Sequence, residues 1–309
     1  MQVDWKGVYP AITTKFHKDG SLDLSTFEVN IKAQLEAGIH GIVLGGTLGE
    51  ASTLQNGEKI ELLAKTRELV GNDFPVILNI AEQSTDVAMQ TARDAENNGV
   101  DGLMLLPPMR YKADDRETVA YFKAVASATS LPIMIYNNPI DYGIEVTHDM
   151  FEELSQVDNI EAVKESTRDV TNVTRMINRF GDRFKIMCGV DTIALDALLM
   201  GAHGWVAGLV CAFPRETVAI YELAQSGEIQ EALEIFRWFL PLLELDINPK
   251  LVQNIKLAEV ATGIGTEFVR SPRLMLQGEE RKQVQKIIDD SLKSHPEIEH
   301  LLNKKTQTA

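Results

Sequence analysis

Short apolar runs recur along the chain, each set off by glycine or proline and followed by a longer amphipathic stretch. The runs are Gly7 to Thr14, Ile42-Val-Leu44, Val76-Ile-Leu-Asn-Ile80, Leu103-Met-Leu-Leu106, Pro132-Ile-Met-Ile-Tyr136, Ile160-Glu-Ala-Val-Lys164, Phe184-Lys-Ile-Met-Cys188 and Trp205-Val-Ala-Gly-Leu209. Runs this short and this apolar predict parallel strands covered on both faces. Three are entered through one local grammar: Gly38-Ile-His-Gly41, Gly99-Val-Asp-Gly102 and Gly201-Ala-His-Gly204. The first glycine suits the left-handed residue that ends a helix, and the second leads into the strand. Between the runs, apolar residues return at helical spacing, as in Phe27, Ile31 and Leu35, or Ile60 and Leu63 with Val70 beyond. Ser84, Thr147 and Asp169 are placed to open helices, and Pro214 suits a first helical turn.

Strands and helices alternating in this way up to Ser226 predict a (β/α)8 TIM barrel over residues 1–226, because short right-handed crossovers are the default. A doubly wound open sheet is the alternative, but no second-domain linker accompanies the pattern. Beyond it, residues 227–309 read as a C-terminal three-helix extension (228–245, 249–261 and 279–293) packed on the barrel. The helices are interrupted by Pro241, Pro249, Gly263, Gly265 and Pro272, with Gly263-Ile-Gly265 read as a helix stop. The polar stretch from Asn303 to Ala309 is expected to fray.

Composition narrows the function. Hydrophobic residues make up 44% and charged residues 24% of the 309, which suits a globular enzyme with a sizeable core. A formal net charge of −15 opposes binding to nucleic acid or to an anionic membrane surface. No apolar run approaches the length that spans a bilayer, and MQVDWKGVYP lacks the basic and apolar regions of a signal peptide. Cys188 and Cys211 are too few for a disulfide scaffold, so a reducing, cytoplasmic setting is expected. The six histidines (His17, His40, His148, His203, His295, His300) form no ligand pair, and no metal site is expected. His40 and His203 precede their strands and are expected at the barrel's bottom face in structural roles.

Barrel chemistry gathers at the C-terminal ends of strands. Lys164 ends the sixth run after Ile160, Ala162 and Val163, which aims its amine into the mouth; burial would depress its pKa and free it as a nucleophile. The alternative is a strand-end lysine paired with Glu165. Lys15 ends the first run but leads into His17-Lys18-Asp19-Gly20, so it is expected to be solvated. Tyr136 ends the fifth run, either as a proton carrier or as a rim tyrosine satisfied by a carbonyl. Gly45-Gly-Thr-Leu-Gly-Glu50 ends the second, where consecutive N–H groups can converge on a carboxylate or a phosphate; an ordinary βα turn is the third possibility.

These pieces, in this order, resemble the dihydrodipicolinate synthase / N-acetylneuraminate lyase family of class I Schiff-base aldolases, over nearly the whole chain. Gly46-Thr-Leu-Gly-Glu50 resembles its G-[ST]-x-G-E motif and Tyr136-Asn-x-Pro139 its Y-N-x-P; Lys164 stands alone on strand six, and Gly189-Val-Asp191 resembles its G-x-D. The resemblance implies that Lys164 forms an imine with pyruvate or a longer 2-oxo acid and that Tyr136 moves the proton. It also implies that Thr47 orients the Tyr136 hydroxyl and that the N–H groups of Thr47 and Leu48 hold the carboxylate. Gly46, Asp141, Ser166, Gly189, Asp191 and Val206 complete the substrate-binding candidates. No metal or organic cofactor is implied, and a homotetramer or homodimer is.

Departures from the pattern bear on the substrate. Leu48 stands where the family's synthases have a second threonine, and Asp141 where they have an arginine for a second carboxylate, which Asp141 would repel. Pro108-Met109 replace the synthases' tyrosine pair, with Tyr111 displaced, and Gly208 stands near the serine of the sialic-acid lyases. The specific expectation is therefore deamination of 1-pyrroline-4-hydroxy-2-carboxylate, the cyclic imine of hydroxyproline breakdown. The alternatives are a 2-keto-3-deoxy sugar acid aldolase or dehydratase, 4-hydroxy-tetrahydrodipicolinate synthesis, and a barrel that binds a 2-oxo acid without turnover.

Overall fold

The computed structural model describes residues 3–108 and 110–298; Met109, His300 and the tail from Asn303 lie outside them. Eight parallel strands form one sheet in the order β1-β8-β7-β6-β5-β4-β3-β2. They are β1 (Gly7–Pro10), β2 (Ile42–Leu44), β3 (Val76–Ile80), β4 (Gly102–Leu105), β5 (Ile133–Asn137), β6 (Ile160–Glu165), β7 (Lys185–Cys188) and β8 (Gly204–Ala207). β1 pairs with β8 from Gly7↔Gly204 to Pro10↔Ala207. The seam between β1 and β2 is closed by a parallel bridge, Ala11↔Val43, and by the Ile12 N–H donating to the Val43 carbonyl at 3.0 Å. The fold is the expected TIM barrel, with the first strand ending at Pro10 instead of Thr14.

The repeated glycine grammar has two physical causes. Helices α1 (Leu24–Glu36), α3 (Thr85–Asn97) and α8 (Ala194–Leu199) are each followed by Gly38, Gly99 or Gly201 at φ +83, +76 and +103, the left-handed conformation that costs L side chains. The second glycine has no room for a Cβ. One on Gly102 would lie 2.9 Å from Ile77 Cδ1, one on Gly204 would lie 2.6 Å from Met187 Cε, and one on Gly41 would collide with the Tyr9 ring. His40 and His203 take the structural roles expected: their Nδ1 atoms accept from Val8 N–H (3.2 Å) and Ile186 N–H (3.1 Å) at the starts of neighbouring strands.

The remaining barrel helices are α2 (Asn56–Val70), α4 (Asp115–Ala126), α5 (Pro139–Tyr142), α6 (His148–Leu154), α7 (Thr171–Phe180) and α9 (Pro214–Ser226). Thr147 caps α6 through its side chain and Pro214 occupies the first turn of α9, as expected. Ser84 precedes α3 without a side-chain cap bond, and Asp169 accepts from Thr171 N–H at 3.0 Å from two positions ahead of that first residue of α7, with Val170 at the cap. The extension consists of α10 (Ile229–Leu243), α11 (Leu251–Ala261) and α12 (Gly278–Lys293). Lys15, expected in solvent, is instead wholly buried: its Nζ lies 3.0 Å from Glu259 of α11 and also meets Thr13. A second buried pair, Lys256 to Glu50 at 2.6 Å, ties α11 to the turn after β2. No described helix is long and apolar enough to cross a membrane.

Candidate active site

A cavity of about 420 Å³ opens at the C-terminal ends of the strands, with Lys164 and Tyr136 in its wall. The two are partners in register on adjacent parallel strands, so their side chains leave the sheet on the same face. Lys164 is 7% and Tyr136 8% exposed, and the lysine Nζ lies 4.2 Å from the centre of the tyrosine ring. Burial holds the Lys164 amine below its usual pKa, opposed by Tyr142, Asp246 and Asp191. Glu165, the next residue along β6, faces the other way: it accepts from Thr167 N–H and from Asn172 Nδ2, both at 2.8 Å. The pairing of Lys164 with Glu165 is therefore ruled out by strand alternation.

Gly189 explains how the amine finds room. A Cβ there would come within 2.7 Å of Lys164 Cε and Cγ and would collide with the Ser166 hydroxyl. Ser166 is buried in the same wall, and its hydroxyl has no hydrogen-bond partner among the described residues.

The phenol network differs from the one expected. Thr47 does not reach Tyr136; its hydroxyl pairs at 2.5 Å with the hydroxyl of Tyr142, whose ring meets that of Tyr136 edge-on with centroids 5.5 Å apart. Tyr136 instead receives a bond from Asn138 Nδ2 at 3.1 Å. Burial pushes the Tyr136 phenol up to about 12 and raises that of Tyr142 as well. The N–H groups of Thr47 and Leu48 donate to no other described group, and both residues line the cavity together with Gly46. Two unspent N–H groups beside a glycine-rich turn are available to an acceptor in the cavity.

Asp191 is not at the cavity surface. Its carboxylate accepts from Trp205 Nε1 (2.8 Å), Gly208 N–H (3.1 Å) and Leu209 N–H (2.8 Å), which fixes the turn after β8. Gly189 and Val206 do line the cavity. Asp141 is at the rim, held by Asn138 Nδ2 at 2.7 Å, and Arg168 Nη2 lies 3.9 Å from it. The repulsion expected of Asp141 is thus partly offset by a neighbouring guanidinium. Tyr111 is 63% exposed and bonds Glu117, away from the site.

Five polar lining residues lay outside the candidates read from the sequence: Asn138, Tyr142, Arg168, Asp246 and Asn248. Tyr142 follows Tyr136 across one short helix, and Arg168 follows Lys164 by four residues, so both were within reach of the motifs. Asp246 and Asn248 come from the extension, where no local signal points to chemistry. Among the described residues, no group of three or more His, Cys, Asp or Glu is placed to hold a metal ion.

A buried amine beside a phenol in a barrel mouth is an arrangement suited to imine chemistry. Comparison with known proteins agrees. Residues 4–291 match the dihydrodipicolinate synthetase family. The chain is 31% identical over 290 residues to a 4-hydroxy-tetrahydrodipicolinate synthase of Methanothrix thermoacetophila, covering 92% of this chain and 96% of that one. It is 34% identical over 275 residues to one of Exiguobacterium sibiricum, covering 88% and 92%. The solved structure of the same enzyme from Methylacidiphilum fumariolicum SolV superposes with a TM-score of 0.88 at 31% identity, covering 96% of this chain and 99% of that one. The chain belongs to the dihydrodipicolinate synthetase family and is a class I aldolase-type lyase.

Proposed function

We propose that Lys164 condenses with the C2 carbonyl of pyruvate or a longer 2-oxo acid. The observation that carries this reading is the Lys164 amine, buried and uncoupled from Glu165, 4.2 Å from the Tyr136 ring. Attack of the neutral amine gives a carbinolamine. Tyr136 then gives its proton to the departing hydroxide, which leaves as water and yields an iminium and a tyrosinate. The tyrosinate takes a proton from C3, whose electron pair forms the enamine, and the phenol is restored. The Thr47–Tyr142 pair positions this relay, and the N–H groups of Thr47 and Leu48 hold the substrate carboxylate. Borohydride added with pyruvate is expected to fix a reduced adduct on the peptide bearing Lys164, and Lys164→Ala to abolish it. An adduct located elsewhere by mass spectrometry would defeat the assignment.

The finer proposal is deamination of 1-pyrroline-4-hydroxy-2-carboxylate, the cyclic imine of a 5-amino-4-hydroxy-2-oxo acid. Transfer of C2 from the ring nitrogen to Lys164 opens the ring, water is lost from C4, and hydrolysis of the C5 imine formed by tautomerisation releases ammonia. Leu48, Met104 and Val206 give the cavity apolar walls suited to a compact substrate. A second reading is condensation of pyruvate with an aldehyde that carries a carboxylate, as the names of the relatives suggest; Arg168 at the rim favours it by supplying a cation for that group. Assaying the imine, pyruvate with aspartate semialdehyde, and 2-keto-3-deoxy sugar acids side by side separates the two. A homodimer or homotetramer and a cytoplasmic setting belong to the same proposal.

A further inference from the structure

Asp246 lies in the segment of residues 244–250 that joins α10 to α11 and roofs the barrel mouth. Its Oδ1 fills the space a side chain on Gly208 would take: a Cβ built there would collide with that oxygen and lie 3.0 Å from Leu48 Cδ1. This oxygen is sealed from solvent and has no hydrogen-bond partner among the described residues, although the residue borders the cavity. Asp246 is half-buried, and a carboxylate with one oxygen sealed away from donors is costly to keep charged, whereas a neutral carboxyl holds a proton that its other oxygen can deliver to the cavity.

The groups facing it come from β6 and the loop after it, from the turn after β7 and from α5. Asp191 stands after β7, Lys164 is on β6, Asp141 is on α5, and Arg168 follows β6. Burial and the Asp191 charge push the Asp246 carboxyl well above the usual carboxylate range, and Lys164 and Arg168 oppose the shift. Thr47, Leu48 and Lys164 line the same cavity as Asp246, so a substrate held by the first three occupies a space that this carboxyl also borders.

We propose that Asp246 is the catalytic acid that protonates the group leaving C4 of the imine-bound substrate. This rests on the Schiff-base reading above. From the enamine, the nitrogen lone pair re-forms the C2–N double bond and the C2–C3 pair shifts to C3–C4. The C4–O bond breaks with its electrons on oxygen, which takes the Asp246 proton and leaves as water. The Asp246 carboxylate regains a proton from solvent, and hydrolysis of the iminium frees Lys164.

The test compares the parent with Asp246→Asn on three probes. One is exchange of the C3 protons of pyruvate for deuterium. The others are water loss from 4-hydroxy-2-oxo acids, the cyclic imine included, and fluoride loss from a 4-fluoro-2-oxo acid, whose leaving group needs little help from an acid. Exchange is expected to stay within about threefold and fluoride loss within about tenfold, while water loss falls about 10²–10⁴-fold. The alkaline decline of the parent's kcat is expected to vanish in the variant. Equal losses on all three probes would make Asp246 a structural residue and overturn the proposal. So would unchanged water loss, or a parent that exchanges pyruvate protons yet eliminates from no probe. A parent that neither exchanges nor forms an adduct on Lys164 would bring down the Schiff-base reading itself.

Discussion

Tyr136 and Lys164 are register partners on neighbouring strands, and the lysine nitrogen sits 4.2 Å from the centre of the tyrosine ring. A neutral amine is needed for attack, and burial lowers the proton affinity of this one. Adduct formation with pyruvate should therefore rise with pH through a midpoint below 10.5, the ordinary lysine value. Tyr136→Phe should slow C3 proton exchange by about 10²–10⁴-fold, a general acid–base contribution, while slow adduct formation on Lys164 persists. Deuterium exchange followed by NMR reads the first effect and borohydride trapping the second. Unchanged exchange in Tyr136→Phe would remove the phenol from the mechanism.

The hydroxyls of Thr47 and Tyr142 act as a unit, so their losses should not add. Thr47→Val and Tyr142→Phe are each expected to lower kcat about 10-fold or more, and the double variant little further, because the first substitution already breaks the 2.5 Å bond. Additive losses in the double-mutant cycle would mean that the two residues touch the reaction separately.

Much of this site was legible from the chain. The strand-end positions of Lys164 and Tyr136 follow from apolar runs that stop at a polar residue, and the glycines closing β2 mark the turn that lines the cavity beside them. What stayed hidden is instructive. Lys15 reads as solvated because its sequence neighbours are polar, yet its partner Glu259 is more than two hundred residues away and seals it in the core. The family resemblance implies Thr47 as the partner of Tyr136, but Tyr142 at the end of α5 takes the Thr47 hydroxyl instead. Asp246 carries no local mark at all, because its role depends on the volume left empty at Gly208 on another element.

The buried ion pairs show how the extension is locked to the barrel. Lys256 Nζ donates to Glu50 at 2.6 Å and to the Phe268 carbonyl at 2.7 Å, with both charged side chains fully buried. Glu50→Gln leaves a buried ammonium without its counter-charge and should cost about 3–5 kcal/mol. Adding Lys256→Met should recover part of that loss. Burial also lowers the Lys256 pKa to about 8 from 10.5. Between those values the unfolded chain binds more protons than the folded one, so this lysine makes stability rise with pH there. Denaturant unfolding at pH 7 and pH 10 checks both statements, and Lys256→Met should flatten the rise. A Glu50→Gln protein as stable as its parent would show that the pair holds nothing in place.

Arg168 adopts φ +63, a conformation that disfavours an L side chain, at the rim of the cavity. Glycine would relieve that backbone, although it also gives the unfolded chain more freedom, so Arg168→Gly should change stability by less than about 1 kcal/mol. A side chain retained in a disfavoured conformation beside a site is placed there by what it touches. Asp141, at 3.9 Å and exposed, gives it only weak pairing. If the cation meets a second carboxylate of the substrate, Arg168→Gly should raise KM about tenfold or more for substrates that carry one. It should leave C3 exchange of pyruvate, which has no such group, unchanged. Arg168→Lys should restore part of the affinity. Equal KM increases for both kinds of substrate would show that Arg168 shapes the rim without reading the distal charge.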